Sequence, residues 1–143
     1  MRILVIAAAV TAMSVGVSAQ ESLDYIEARQ SAMKFVGGQM RGLGGMAQGQ
    51  TEFNADYVRT AGWAIAVIAN SYPLHFPAGT ETGGNTEALP AIFEDPDGFA
   101  MVAQQLEAAA LAMQKSASQD DLQMTFGQLG QACKACHSKY RSK

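Results

Sequence analysis

The two cysteines of the sequence lie close to its end, and a histidine follows the second one directly. The stretch reads Cys-Lys-Ala-Cys-His over residues 133–137. On a helix, positions three and four residues apart share a face, so Cys133, Cys136 and His137 would present two thiols and an imidazole to one side. Two such thiols can join the vinyl groups of a porphyrin while the imidazole reaches its iron. C-x-x-C-H is the signature of c-type heme attachment, and we expect that chemistry here.

Three other interpretations of the cysteine pair compete with heme attachment. A structural disulfide would close a minimal loop and restrict the unfolded chain very little. A thioredoxin-like redox pair expects a βαβ context, whereas strand-like alternation is nearly absent. A zinc site wants four ligands, and the only other histidine is His75. We expect His75 to be a solvated loop residue rather than an axial ligand.

The first 19 residues have the pattern of a secretory signal peptide. Arg2 precedes a short apolar run that ends in the small residues Val17-Ser18-Ala19. We therefore predict a signal peptide at residues 1–19 and one mature domain at residues 20–143; an uncleaved membrane anchor is the alternative. No second apolar span follows, so the mature product should have no membrane span.

The predicted mature domain is acidic. Without Arg2, nine basic residues remain against thirteen acidic ones, which gives a net charge of −4. Nucleic acid is not an expected partner, because its phosphates would require a basic face.

Helical periodicity dominates the mature chain. Four segments repeat apolar residues at three- and four-residue spacing, beginning near Ile26, Asn54, Pro96 and Ser118. Residues 70–96 contain all four prolines and predict a long surface loop between the second and third helices. Four amphipathic helices can bury their apolar stripes only against one another. The sequence therefore predicts an all-α fold, a four-helix bundle with antiparallel neighbours.

The first helical segment contains five glycines, at positions 37, 38, 42, 44 and 45. A glycine in a helix interior costs about 1 kcal/mol relative to alanine. Either this helix ends early, or neighbouring groups approach its backbone closely.

A family resemblance rests on two features of the sequence. One is the position of C-x-x-C-H after three other helices, and the other is a set of shorter motifs. These motifs are Arg29-Gln30-Ser31-Ala32-Met33, Phe76-Pro77-Ala78-Gly79-Thr80 and Thr86-Glu87-Ala88-Leu89-Pro90. Over essentially the whole mature chain, the sequence resembles the class II c-type cytochromes, namely cytochrome c′ and its low-spin relatives of the cytochrome c556 type. The resemblance implies up-down-up-down topology and one heme c bound through two thioethers. An enzyme is not expected, because no acid–base pair converges beside the heme in this interpretation.

The resemblance also implies roles for individual residues around the heme. Cys133 and Cys136 would form the thioethers, and His137 would be the proximal iron ligand. Arg29 would lie against the heme near its propionates, and Met33 would face the sixth coordination position of the iron.

Three further residues match family positions near the heme. Arg141, four residues after His137, matches a basic residue beside the proximal face. Thr86 and Glu87 match loop residues that approach the heme edge in some members. Phe93 departs from the family pattern, since many members have tryptophan there, and we expect this to affect packing rather than chemistry.

Whether Met33 binds the iron determines the expected function of the heme. As a ligand it would give six-coordinate His/Met iron, which raises the reduction potential and favours electron transfer. As core packing it would leave a five-coordinate, high-spin site open to NO or CO. The run from Met33 to Gly38 resembles the low-spin branch, so we expect electron transfer with Met33 as the distal ligand. The gas-binding site is the alternative, and a heme-free interaction domain is a third class.

The signal peptide and the resemblance together imply a periplasmic protein with redox partner proteins. Lys134, Lys139, Arg141 and Lys143 make the C-terminal end basic. They would either complement the helix dipole in solvent or form a docking patch for an acidic partner. The resemblance also implies a homodimer through the first two helices.

Overall fold

Four long helices form the protein, in a computed structural model that describes residues 17–142. In chain order the helices are α1 (Ala19–Ala47), α2 (Ala55–Ser71), a one-turn α3 (Ala91–Glu94), α4 (Pro96–Met113) and α5 (Gln119–Tyr140). The four long helices pack as an up-down-up-down bundle, so the predicted fold class is confirmed. Most of the predicted signal peptide, residues 1–16, lies outside the described residues.

Each long helix begins at a side-chain cap. The cap residues are Ser18, Asn54, Asp95 and Ser118. Each of these side chains accepts a hydrogen bond from a backbone N–H three residues later, which pairs a donor that the helix itself leaves free. The predicted starts of the last three long helices are therefore confirmed.

The glycines of the first helix do not end it, because α1 continues through all five of them. A Cβ atom at Gly42 would overlap the hydroxyl of Tyr57 in α2, and one at Gly44 would lie 3.2 Å from the ring of Phe126 in α5. These two glycines allow α1 to approach its neighbours closely, which was one of the two alternatives. Gly37 has no such neighbour within 4 Å.

The bundle has two apolar clusters. The larger one fills the space between the long helices and includes the fully buried Leu43, Ile65 and Leu129. The smaller one centres on Phe99 and Tyr140, where α4 begins and α5 ends. A cavity lies beside this second cluster, at the same end of the bundle.

The predicted long loop between α2 and α4 is present, and it contains two short elements that the sequence did not predict. A 3-10 turn at Tyr72–His75 follows α2 directly, and α3 immediately precedes α4. Between them the chain folds back along α1. None of the described helices is both long and apolar enough to cross a membrane.

Candidate heme-binding site

A cavity of about 530 Å³ lies between α1, α5 and the long loop. Cofactor sites in proteins are typically concave, mostly apolar and roughly 300–1,000 Å³ in volume. All eight residues singled out from the sequence line this cavity: Arg29, Met33, Thr86, Glu87, Cys133, Cys136, His137 and Arg141. Residues more than one hundred positions apart in the chain therefore meet at one site.

The C-x-x-C-H motif lies on one face of α5, with both thiols half-buried. Burial raises the pKa of the Cys133 thiol, and it raises the pKa of Cys136 to about 11, with a further contribution from Cys133. A reactive C-x-x-C redox pair has the opposite property, a thiol whose pKa is lowered. The environment of this pair is therefore unlike that of a dithiol redox centre.

The imidazole of His137 favours its neutral form. His137 is open to the cavity and to solvent, yet partial desolvation lowers its pKa, and the positive charge of Arg141 lowers it further. Glu87 opposes this effect weakly. Since neutral imidazole is the form that binds a metal ion, the local charges suit an iron ligand.

Arg29 is buried, with 3% of its surface exposed, and it turns into the protein rather than toward solvent. Its guanidinium donates to the Thr80 carbonyl oxygen at 2.8 Å, to Thr86 Oγ1 at 2.9 Å and to Thr80 Oγ1 at 3.2 Å. It also stacks over the ring of Phe76, 4.6 Å from the centroid. Within the described residues, no carboxylate forms an ion pair with Arg29. Among the described residues its hydrogen-bond acceptors are all neutral, and Glu81 acts on it only beyond ion-pair distance, so an anion bound in the cavity would stabilise this buried cation.

Residues 86–89, which we name the crossing segment, are joined to the end of α5, and the first three of them line one edge of the cavity. The N–H of Leu89 donates to the carbonyl of Tyr140 at 3.0 Å, and the N–H of Ser142 donates to the carbonyl of Glu87 at 2.8 Å. Arg29 holds the same segment from α1 through Thr86, as described above. The crossing segment therefore connects the helix of Met33 to the helix of His137.

Two of the four basic residues near the C-terminus form ion pairs. Arg141 Nε lies 2.6 Å from Glu87 Oε2, and Lys139 Nζ lies 2.8 Å from Asp95 Oδ2. These contacts neutralise much of the positive charge expected there, which favours a local structural role over a docking patch. Lys143 lies outside the described residues.

Aromatic residues supply a wall of the cavity that the sequence analysis did not identify. The ring centroids of Phe76 and Phe99 are 4.9 Å apart, and those of Phe99 and Tyr140 are 5.1 Å apart. Tyr72 also lines the cavity, and burial raises its pKa to about 12, so it stays neutral. Tyr72 and Phe76 lie four positions apart on either side of Pro73, and this spacing could have predicted the aromatic wall.

Two polar loop contacts complete the description of the expected site residues. Gln30 lines the cavity and donates to the carbonyl of Asn85 at 2.9 Å, although only its motif, not its role, was recognised in the sequence. His75 is not among the lining residues; its carbonyl oxygen accepts a long contact of 3.5 Å from Arg29. His75 lies within the long loop as expected, but it is half-buried at the end of the 3-10 turn rather than solvated.

Comparison with known proteins gives the family. The family model described as Cytochrome C′ matches residues 24–141. The chain belongs to the cytochrome c′ family. It is 38% identical over 120 residues to cytochrome c-556 of Agrobacterium tumefaciens (strain II Chrys), a match that covers 82% of this chain and 97% of that one.

Solved structures of cytochromes c′ share the fold. Cytochrome c′ from Rhodopseudomonas palustris superposes with a TM-score of 0.80 at 34% identity, covering 84% of this chain and 97% of that one. A nitric oxide complex of a mutant cytochrome c prime from Alcaligenes xylosoxidans superposes with a TM-score of 0.75 at 26% identity, covering 85% and 97%. The cytochrome c′ family carries covalent heme c, and its members are electron carriers or gas binders. The volume, apolar wall, thiol pair and buried cation of the cavity fit that group.

Proposed function

We propose that the protein is a periplasmic electron carrier whose heme c is attached to Cys133 and Cys136 and ligated by His137 and Met33. One observation carries this proposal: the C-x-x-C-H face of α5 and Met33 of α1 line the same apolar cavity. When bound, heme supplies an iron that alternates between two oxidation states. The residues of this chain attach it, orient it and shield it from water.

The surroundings of the two proposed axial ligands favour a raised reduction potential. His/Met ligation raises the potential of heme iron. Aromatic and aliphatic walls line most of the cavity, and an environment of low dielectric constant disfavours the more highly charged oxidation state. Neutral Tyr72 adds no charge to the cavity.

We propose that Arg29 pairs with a heme propionate. The guanidinium is buried beside the cavity and has only neutral acceptors among the described residues. A propionate would supply the missing anion through a charge-assisted hydrogen bond. Thr86 would lie at the same edge of the heme, whereas Glu87 would act on the site through its ion pair with Arg141.

The alternative function is a five-coordinate, high-spin gas binder, which the nitric oxide complex of a structural neighbour favours. Absorption spectra of the oxidised and reduced heme protein distinguish the two functions. For electron transfer we expect a sharp low-spin reduced spectrum, a methionine–iron charge-transfer band in the oxidised protein, and no immediate change on adding carbon monoxide. Met33→Ala should then respond to carbon monoxide at once.

Met40→Ala provides a matched control for this experiment, because Met40 packs against the same main core from the same helix as Met33 but does not line the cavity. It should keep the wild-type spectrum. A broad high-spin spectrum from the wild-type protein, with a prompt response to carbon monoxide, would establish the gas-binding alternative. Met33 would then be a packing residue.

Export and partners form the remaining part of the proposal. We propose that cleavage before Gln20 releases the mature domain into the periplasm, where it exchanges electrons with redox partner proteins. Mass spectrometry of the exported protein should find Gln20 as the first residue.

We also propose a homodimer through α1 and α2. Exposed apolar side chains on these helices support it: Phe35 on α1 is exposed by 48%, and Trp63 and Val67 on α2 by 60% and 46%. Sedimentation of the heme protein over a concentration series tests this assembly.

A further inference from the structure

Acidic and basic residues are segregated on the two helices that border the cavity. The sequence has no aspartate or glutamate in residues 28–51, which cover most of α1, and none in residues 122–143, which cover most of α5. The same two stretches contain seven of the ten basic residues: Arg29, Lys34, Arg41, Lys134, Lys139, Arg141 and Lys143. An acidic protein therefore has positive charge concentrated on two adjacent helices.

Three of these cations are exposed and form no ion pair among residues 17–142: Lys34, Arg41 and Lys134. We name these three residues the basic rim. The other described cations of the two stretches are either buried or paired with a carboxylate. An unpaired cation in solvent contributes to the electrostatic field that an approaching molecule meets, whereas a paired one contributes little.

On α1, the basic rim lies on the side that faces α5. Lys34 is exposed and also lines the cavity. Arg41 lies three positions before Gly44, whose Cβ atom would be 3.2 Å from the ring of Phe126 in α5. Residues three and seven positions apart share a face of a helix, so both cations border the groove between α1 and α5.

On α5, Lys134 lies three positions before His137 and seven before Arg141, on the same face of the helix. His137 and Arg141 are exposed and line the cavity, so the cavity reaches solvent between the two helices. Glu87 lies at this opening too, but Arg141 neutralises its charge at 2.6 Å. The basic rim therefore borders the opening of the cavity.

We propose that the basic rim is the docking surface for an acidic redox partner protein. A positive patch that meets a negative one steers the encounter and fixes the orientation of the two proteins. Docking at this opening would bring the redox centre of the partner to the place where the cavity is closest to solvent. One electron would then pass between the heme iron and that centre, and no bond would form or break. This inference rests on the proposed electron-carrier function.

An acidic protein fits the basic rim better than an anionic membrane does. A membrane is an extended negative surface, and it would also repel the acidic residues on the rest of the molecule. A protein can present its carboxylates to the rim alone.

The experiment measures how fast two small reagents of opposite charge oxidise the reduced heme protein. Hexacyanoferrate(III) is an anion, and tris(phenanthroline)cobalt(III) is a cation. Rates are measured from about 0.01 M to about 0.1 M ionic strength, over which the Debye length falls from about 30 Å to about 10 Å. Dividing the rate with the anion by the rate with the cation removes changes in driving force that affect both reagents.

Charge reversal at each position of the basic rim is compared with a control of equal net charge. Arg41→Glu is the decisive variant, because Arg41 does not line the cavity and its substitution should leave heme uptake unchanged. Lys34→Glu and Lys134→Glu lie closer to the proposed heme attachment. Lys115→Glu is the control: Lys115 is exposed in the turn before α5, at the end of the bundle away from the cavity.

We expect the rate with the anion to fall as salt is added, although the net charge of the protein predicts the opposite. Arg41→Glu should lower the ratio of the two rates about tenfold at the lowest ionic strength, because it changes the rim by two unit charges opposite a triply charged reagent. Lys115→Glu should leave the ratio within about twofold of wild type. Poly-L-glutamate should inhibit oxidation by hexacyanoferrate(III) in the wild-type protein but not in Arg41→Glu.

Three results would overturn the docking surface while leaving electron transfer intact. They are a rate with the anion that rises with salt, equal effects of Arg41→Glu and Lys115→Glu, or no inhibition by poly-L-glutamate together with binding to phosphatidylglycerol vesicles. The last result would assign the basic rim to a membrane. A heme protein that exchanges electrons with neither reagent would overturn the electron-carrier function, and the docking surface with it.

Discussion

Replacing Arg29 by methionine should destabilise the protein strongly, because this side chain donates most of the hydrogen bonds that join α1 to the long loop. Methionine has a similar length and is apolar, but it cannot donate a hydrogen bond. The substitution would leave the carbonyl of Thr80 without its shortest hydrogen bond, in a residue that is 0% exposed. It would also release Thr86 and with it the crossing segment.

The magnitude follows from the two shortest hydrogen bonds, 2.8 Å to the Thr80 carbonyl and 2.9 Å to Thr86 Oγ1. A hydrogen bond to a charged group contributes about 1.5–3 kcal/mol. The lower value for each bond gives a loss of about 3 kcal/mol in the free energy of unfolding. The two longer contacts of Arg29 are left out, since hydrogen bonds weaken with distance.

Urea unfolding of the heme protein measures this loss. Arg59→Met is the matched control, because Arg59 is exposed and, within residues 17–142, forms an ion pair only with Asp56, one turn earlier on the surface of α2. Its effect should stay within about 0.5 kcal/mol. Hydrogen exchange at the amide of Thr80, whose bond to the Pro77 carbonyl is 3.3 Å long, should accelerate in Arg29→Met only.

Equal unfolding free energies for Arg29→Met and Arg59→Met would refute the reasoning. The long loop would then be held by its other contacts, and Arg29 would act on the heme alone. Arg29→Lys should fall between the wild-type protein and the methionine variant, since lysine keeps the charge but lacks the planar fork that reaches two acceptors.

Two further predictions concern packing and pH. Gly62→Ala should lower the unfolding free energy by about 1–3 kcal/mol through overpacking, because its Cβ would lie 2.7 Å from the Cβ of Gln114, the residue that follows α4. Gly127→Ala, in an open position, serves as the control in the same urea assay. The pKa of Asp95 is lowered, first by the hydrogen bond from Lys139. A lowered pKa stabilises the fold above the ordinary value of 3.8 and loses its effect as the pH falls through the folded value. Asp95→Asn, which keeps a capping side chain, should therefore be less stable than wild type near neutral pH, and the difference should disappear in acid; a constant difference at all pH values would contradict the ion-pair explanation.

The local signals in the sequence predicted the long helices well. Asn54 and Ser118 start their helices as expected, because a cap needs only its own side chain and an N–H three residues away. The C-x-x-C-H motif could also be recognised from the sequence, because its three side chains lie within a little more than one helical turn. Features of this kind depend on neighbours in the sequence.

Features that depend on distant residues were not predictable in the same way. Arg29 contacts Thr80 and Thr86, which are 51 and 57 positions further along the chain. The apolar periodicity of α1 does not predict these contacts. The short α3 depends on burial of Ile92 against the end of the bundle. The glycines show the same limit, because the sequence could not tell that Gly42 faces a tyrosine while Gly37 faces a cavity.

The crossing segment has a mechanical consequence for the two sides of the site. It is fixed at one end to Arg29, one turn before Met33, and at the other to Tyr140 and Ser142, one turn or so beyond His137. A shift of α5 that moves the histidine will therefore pull on α1 through a tether of four residues. If His137 and Met33 bind the heme iron as proposed, losing either bond should strain the same four-residue segment, and the two ligands would then not act independently.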